Sequence, residues 1–519
     1  MDFNVSAQND VERELRVSSL SPLNRLCSIV HDASFVDSIV SLLPRLPLGG
    51  NLRAGRWYVK PEILSFDCCF KSADGHYGQW NFSFWRVNLK LLKLLFSRGG
   101  AIVVDATRQG KRFPDSLSKT VPIWCFVINE ILAELGLLNL AHASDSLVLP
   151  EWVPKEEKHW ILERSQGWIT MIHEQKEFRS VLLELANDCP LRKPLKPVWI
   201  HRDQPSIEDS SLVDCISFIP VFCVSVSSPK DNYRWLTHSL KTGETFGFRY
   251  IQGAGDDEES WSCGLFPELF WKHKEDLLSR DPMLLKEHIT SLLESVKSRS
   301  LVSIINPNLL VPHLELFQVD ERDSAGVDLF WNGWFSSELP IQPYSVDVHI
   351  VLSVGDRNST LVDSFPLVKS MLDDTCSIIC IKLVDRAGRL ESKRFGLERT
   401  LKEVTHHLDR FLLKKKQSVM IWSPFHTDWA TCCVLTWLAT RTITRHPQKI
   451  IKEAAMHKQI WSVVSEQQKI EDKMELITIF WWLSLSFDVH APSRSAVQQM
   501  HRFLFKTPFE KTSHRIAQS

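Results

Sequence analysis

Ala101-Ile-Val-Val-Asp-Ala-Thr-Arg-Gln-Gly-Lys-Arg112 is the stretch from which the fold of the N-terminal half can be read. Its first four residues are apolar, with Ile102, Val103 and Val104 β-branched, and lack polar alternation, the pattern of a short strand buried on both faces of a parallel sheet. A polar loop, Ala106 to Arg112, follows, and Pro122 then opens an almost wholly apolar helix. Upstream, Phe82 to Arg98 is rich in Leu, Phe and Trp. It reads as a helix with Arg86, Lys90 and Lys93 on one face, stopped by Gly99-Gly100. The unit is therefore helix, strand, basic loop, helix. In open α/β sheets ligands gather beyond the carboxyl ends of strands, where this loop would lie.

Outward from that unit, the expectation is a mixed α/β protein. A chain of 519 residues with 44% hydrophobic and 24% charged composition exceeds a single compact core, so two or more domains are expected. Phe218 to Val226 is a second strand candidate, and the acidic, glycine-rich Gln252 to Trp261 reads as a surface loop. Gly, Pro, Ser and Trp crowd residues 326–344 and mark a boundary. We therefore expect an N-terminal region over 20–325 and a second α/β domain over 345–510. In the latter, Val346–Leu352 and Ser418–Trp422 read as strands, and Leu401–Lys414, Trp429–Arg441 and Ser493–Phe505 as helices. The order strand, loop (Ser423 to Asp428), helix is that of a phosphate-cradling turn.

Composition excludes little about nucleic acid but more about compartment. Lys+Arg 61 against Asp+Glu 62 leaves a net charge of −1, so affinity for RNA must come from local clustering. The first residues, Met1 to Arg16, lack the pattern of a secretory or transit peptide, and the apolar run Ile479 to Phe487 is too short for a span. The 12 cysteines show no Cys-x-x-Cys pair, and Cys68-Cys69 and Cys432-Cys433 suit neither disulfides nor a tetrahedral zinc site. Buried thiols in a reducing compartment are expected: the cytoplasm, with the nucleus left open. No membrane role and no obligate protein partner is inferred.

Between Arg53 and Lys119 there are 12 Lys/Arg against 5 acidic residues, interleaved with Trp57, Tyr58, Tyr77, Trp80 and Trp85. Cations for phosphates beside flat rings suit an RNA partner; an ordinary solvated face over core aromatics gives the same pattern. Within Phe70-Lys-Ser-Ala-Asp-Gly-His-Tyr-Gly-Gln-Trp80, Asp74 and His76 are candidate general bases and Lys71 an anion ligand, although an Asp-Gly turn would look similar. In the loop after the strand, Asp105, Thr107, Arg108, Gly110, Lys111 and Arg112 combine a carboxylate, a hydroxyl, a flexible backbone and three cations. Those are the groups a sugar diphosphate donor needs, and RNA phosphates would use them equally well. Arg86, Lys90, Lys93 and Lys119 are candidate RNA contacts. Asp256 and Asp257 could hold Mg²⁺, or form a solvated acidic turn.

Taken in order, four segments resemble the initiator tRNA 2′-O-ribosylphosphate transferases of fungi and plants. They are Phe70 to Trp80, Val103 to Arg112, Pro114-Asp-Ser-Leu-Ser-Lys-Thr-Val-Pro-Ile-Trp124, and Tyr250-Ile-Gln-Gly-Ala-Gly-Asp-Asp-Glu-Glu-Ser-Trp261. The resemblance implies transfer of 5-phosphoribose from phosphoribosyl pyrophosphate, with Mg²⁺, to the 2′-hydroxyl of a T-stem adenosine of initiator methionine tRNA. It implies inversion, with Asp74 or Asp105 as base, His76 assisting, and Arg108, Lys111 and Arg112 on donor phosphates. The C-terminal half resembles that family's dual-specificity-phosphatase-like domain, but the family's Gly-Lys-Asp run reads His426-Thr-Asp428 here. No Cys and Arg frame the loop as a phosphatase requires. The competing readings are a tRNA-binding protein without catalysis and a working phosphatase dependent on Cys432 or Cys433.

Overall fold

In a computed structural model the chain divides into two compact units, Met1–Ser295 and Val296–Ser519. The structure describes residues 18–52, 54–108, 110–138, 147–187, 193–203 and 217–298. Beyond these it describes 313–318, 327–332, 347–353, 377–382, 396–422, 427–445, 451–453, 456–467, 473–486, 489 and 491–505. Among the described residues no helix is long and apolar enough to cross a membrane.

The first unit opens with α1 (Pro22–Leu42), started by Pro22 and by the Ser21 hydroxyl accepting from the Asn24 amide. Then come β1 (Leu48–Asn51), β2 (Phe66–Cys68), α2 (Leu89–Arg98) and β3 (Ala101–Asp105). After them lie α3 (Val121–Glu134), α4 (Lys155–His173), α5 (Lys176–Asn187), β4 (Leu195–His201) and β5 (Ile219–Ser225). A small hairpin, β6 (Trp235–Ser239) with β7 (Thr245–Arg249), and helices α6 (Pro267–Lys272), α7 (Lys274–Leu278) and α8 (Leu285–Ser298) complete it.

The five main strands form one sheet in the order β2-β1-β3-β5-β4, every neighbour parallel. All five β3 residues are buried, as the apolar run Ala101 to Val104 predicts for a central parallel strand, and Asp105 is buried with them. The chain leaves β1 for β2 on one side, then returns past β1 to β3 on the other. The carboxyl ends of β1 and β3 are therefore the topological switch point, where such sheets leave a crevice.

Two expectations near this crevice need correction. The helix before β3 begins only at Leu89, so Arg86 does not share a face with Lys90 and Lys93. Asn88 sits in the left-handed region (φ 54°) and its side-chain oxygen accepts from the Cys69 amide, which interrupts the chain after a 3₁₀ turn at Phe84–Arg86. The segment Gln252–Trp261 is also not wholly on the surface: Ile251 to Gly255 is buried. Its polar groups are satisfied inside, Gly253 by the Ser227 hydroxyl and Gly255 by the Tyr58 hydroxyl. A side chain at Gly253 (φ 66°) would strike the Thr107 carbonyl at 2.6 Å, so glycine allows that approach.

Among the described residues the second unit holds an eight-stranded mixed sheet in the order 377–382, 348–353, 419–422, 327–332, 313–318, 456–467, 441–445, with 451–453 pairing the long 456–467 strand. The first four of these run parallel, and His313–Gln318 turns antiparallel to Val327–Asn332. This unit thus begins before residue 345, because the hydrogen bonds of 313–318 and 327–332 lie within its sheet. Helices Gly396–Leu408, Thr427–Leu438, Lys473–Ser486 and Arg494–Phe505 accompany the sheet. The helix expected over 401–414 ends as a π-turn at Asp409–Lys414. Of the expected phosphate loop, Ser423 to Asp428, residues 423–426 lie outside the described residues, and Thr427 and Asp428 belong to the helix Thr427–Leu438.

Candidate active site at the sheet's switch point

Asp105, at the end of β3, is 4% exposed. One carboxylate oxygen accepts from Asn51 Nδ2 (2.7 Å) and Ser116 Oγ (2.5 Å), and the other from the Ala106 amide (2.8 Å). Asn51, at the end of β1, also exchanges both amide bonds with Phe70. Asp105 thus ties together the ends of β1 and β3, the loop after β2 and the turn before α3. Burial pushes its pKa up to about 6, against the pull of Ser116, Asn51 and Ala106. A folded-state pKa above the unfolded value of 3.8 means that the native state holds the proton longer. Stability therefore falls as pH rises from about 4 to about 6, by up to about 3 kcal/mol. Melting temperatures followed across that range should lose this slope in Asp105→Asn, even if the variant is less stable throughout.

The loop after β3 is held by side chains that the sequence reading did not single out. Gln252 mimics a peptide group: its oxygen accepts from the Gly110 amide (3.0 Å) and its nitrogen donates to the Lys111 carbonyl (2.8 Å). Ser225, at the end of β5, donates to the Arg112 carbonyl (2.6 Å). Thr107 is buried, whereas Arg108, Gly110, Lys111 and Arg112 are exposed, with the three basic side chains presented to solvent. Arg108 donates from Nε to Asp256 (2.6 Å) and also pairs with Asp257. Arg25 fixes the backbone of that acidic turn by donating to the Ala254 (2.8 Å) and Asp256 (2.9 Å) carbonyls while lying over the Trp261 ring.

Opposite this loop stands the segment after β2. Gly75 packs so closely on the turn before α3 that a Cβ there would meet the Asp115 carbonyl at 2.5 Å. The Thr120 hydroxyl donates to the Lys71 carbonyl (2.9 Å). Asp74 is occupied by Arg86 at 2.6 Å, both largely buried. His76 is half exposed, and its Nε2 lies 3.6 Å from Asp115. Asp115 is a hub, because it also pairs with Lys111 (3.1 Å) and Lys119 (3.4 Å). The spacing Lys111, Asp115, Lys119 at four-residue intervals is a signal from which the hub could have been found.

The structure therefore brings the loop after β2, with Lys71, Asp74 and His76, and the end of β3 and its loop, with Asp105, Thr107, Gly110, Lys111 and Arg112, to the carboxyl ends of the central strands, with Arg86 against Asp74. Arg108, on the same loop after β3, is drawn to the acidic turn at Asp256 and Asp257. Lys119 is instead buried between Asp115 and Glu157 (3.1 Å), so it braces the site from within and presents no charge to a ligand. Lys90 lies in the first turn of α2, and Lys93 is exposed one turn further along. Among the described residues no group of three or more potential metal ligands exists.

The comparisons with known proteins fall on this unit. The family described as the Rit1 N-terminal domain matches residues 15–294. An uncharacterized protein of Schizosaccharomyces pombe is 36% identical over 303 residues, covering 58% of this chain and 63% of that protein. The tRNA A64-2′-O-ribosylphosphate transferase of Saccharomyces cerevisiae is 34% identical over 287 residues, 53% of this chain and 55% of the transferase. The chain thus spans roughly half to two thirds of these relatives' length. No solved structure matches it. The matched residues hold both the parallel sheet and the gathered site, and the chain belongs to the Rit1 N-terminal domain family.

Proposed function

We propose that this protein transfers a ribosylphosphate group to the 2′-hydroxyl of an adenosine in tRNA, the reaction named for its Saccharomyces cerevisiae relative. One observation carries the reading: at the switch point of the sheet, the exposed Lys111 and the half-exposed His76 share the carboxylate of Asp115, with Arg112 exposed next to Lys111 on the same loop. The donor we assign is phosphoribosyl pyrophosphate, and the acceptor initiator methionine tRNA, marked at a T-stem position against use in elongation.

In this reading Arg108, Lys111 and Arg112 hold the donor's phosphates and balance the charge on the departing diphosphate. The acceptor oxygen forms the new bond to ribose C1 as the C1–O bond to diphosphate breaks, and the configuration inverts. The hydroxyl proton passes to His76. With Nε2 turned toward Asp115, Nδ1 is the nitrogen left to receive it. Asp74 and Asp105 are poorly placed as bases, one closed by Arg86 and the other saturated with three hydrogen bonds. Their role in this reading is to position the two loops.

Asp256 and Asp257 are the carboxylates that would hold Mg²⁺, in exchange for part of their pairing with Arg108. Bound there, Mg²⁺ would screen the diphosphate charge.

We propose further that the second unit is a dual-specificity-phosphatase-like domain without hydrolytic activity. The parallel strand Val419–Trp422 leading to helix Thr427–Leu438 supports it. Cys432 and Cys433 lie inside that helix with no exposed surface, and burial pushes the Cys433 thiol up, the opposite of what a thiolate nucleophile needs. An enzyme that marks initiator tRNA works in the cytoplasm, the compartment we assign.

The test is incubation of the full chain with radiolabelled phosphoribosyl pyrophosphate, Mg²⁺ and either initiator or elongator methionine tRNA. Label should enter the initiator tRNA and remain through denaturing gels. Label in neither tRNA removes the transferase reading. Lys111→Ala combined with Arg112→Ala should raise KM for the donor about 100-fold or more, since each charge-assisted phosphate contact contributes about 1.5–3 kcal/mol.

A further inference from the structure

Beside His76, the loop after β2 and the helix α4 present an aromatic corner to solvent. Tyr77 is 64% exposed and Trp160 42% exposed, unusual for large rings in contact with one another. Their planes meet at 79° with centroids 5.9 Å apart. Trp80 lies behind both, 6% exposed, edge-on to Tyr77 at 5.5 Å and tilted 33° to Trp160. The corner is built to stay in place. Trp80 donates from Nε1 to Glu157 Oε1 (3.0 Å), and that carboxylate also holds buried Lys119. Arg164 on α4 donates to the Gly78 carbonyl (3.0 Å), which fastens the helix to the loop.

A pair of perpendicular rings offers one face for stacking and one edge-on wall. Single exposed aromatics need no explanation, but a rigid contiguous pair does. Its neighbours select the occupant. Tyr77 directly follows His76 and the exposed Arg164 stands at the rim, so flat, electron-rich rings lie beside groups suited to a polyanion, while buried Lys119 only braces the corner from within. We infer that Tyr77 and Trp160 stack an unpaired nucleobase of the RNA acceptor and thereby set which ribose faces His76. The inference rests on the reading of the acceptor as tRNA. Stacking on aromatic side chains is how proteins hold unpaired bases, and it tolerates any base because each has a π-face.

The experiment measures tRNA affinity, donor affinity and self-association in full-length Tyr77→Ala, Tyr77→Phe and Trp160→Ala proteins. Each alanine variant should bind tRNA roughly 5- to 150-fold more weakly, with donor affinity unchanged, and Tyr77→Phe should bind like the parent. The dependence of log affinity on log salt should keep its slope, because stacking releases no counterions. Unchanged tRNA affinity in folded Trp160→Ala overturns the inference, and so does a loss of self-association in its place, which would mark the corner as a protein interface. Weakened tRNA binding in a protein that transfers no label upholds the corner and defeats the transferase reading. Normal labelling by the alanine variants at limiting tRNA does the reverse.

Discussion

If the proposed ribosylphosphate transfer uses His76 as its base, replacing His76 with Ala should lower kcat by about 10²- to 10⁴-fold, the usual contribution of a positioned general base. Binding of tRNA and donor should change little, because the imidazole is half exposed and its ion pair is with Asp115. Asp115→Asn also lowers kcat, by leaving the ring without its orienting carboxylate. The double variant should be scarcely slower than His76→Ala alone, since groups that act as a unit are strongly non-additive. Single-turnover rates with saturating tRNA and donor measure this. If Asp74→Asn, and not His76→Ala, abolishes the chemical step while tRNA binding persists, the assignment of His76 is wrong and Asp74 must leave Arg86 during the reaction.

The second large effect is on stability. Gly55→Ala leaves little or no folded protein in the first unit. The Gly55–Tyr58 turn follows β1 and passes directly against the end of β3, where a Cβ on Gly55 would lie 2.0 Å from the Val104 carbonyl oxygen and 3.1 Å from the Asp105 Cα. Both contacts are backbone atoms of a central strand hydrogen-bonded on each side, so neither can move without breaking the sheet. A cost above about 4 kcal/mol is expected, a large part of the total stability of a domain. Urea denaturation followed by tryptophan fluorescence checks it. A midpoint within a few tenths molar of the parent would show that the turn can lift away from β3. By contrast, Gly78→Ala, where a Cβ meets nothing within 4 Å, should cost only the strain of its positive φ.

The two predictions differ in how far the sequence foretold them. His76 stood out from its neighbours because Asp-Gly-His-Tyr-Gly carries more chemical groups than a turn requires. Asp115 did not stand out, although its spacing from Lys111 and Lys119 was visible, because a carboxylate between lysines is usually a solvated pair. Gly55 gave no signal at all: its constraint comes from a strand some fifty residues later. The failure at Arg86 has the same origin, since a local helical pattern was overruled by Asn88 bonding to Cys69 and by Asp74 drawing Arg86 aside.

What the sequence by itself determined is whatever depends on local pattern and order: β3 as a buried parallel strand, the basic loop beyond it, the α/β character of both halves, and the family. Periodicity and motif order reside in neighbouring residues, so they survive without coordinates. Only the tertiary structure decided which charges face a ligand. Lys119 and Asp105 are sequestered, Arg108 is tied to a turn nearly 150 residues away, and His76 is left open beside an aromatic corner. Burial and ion pairing are set by segments distant in the chain, and those are the quantities that fix what a charged side chain can do.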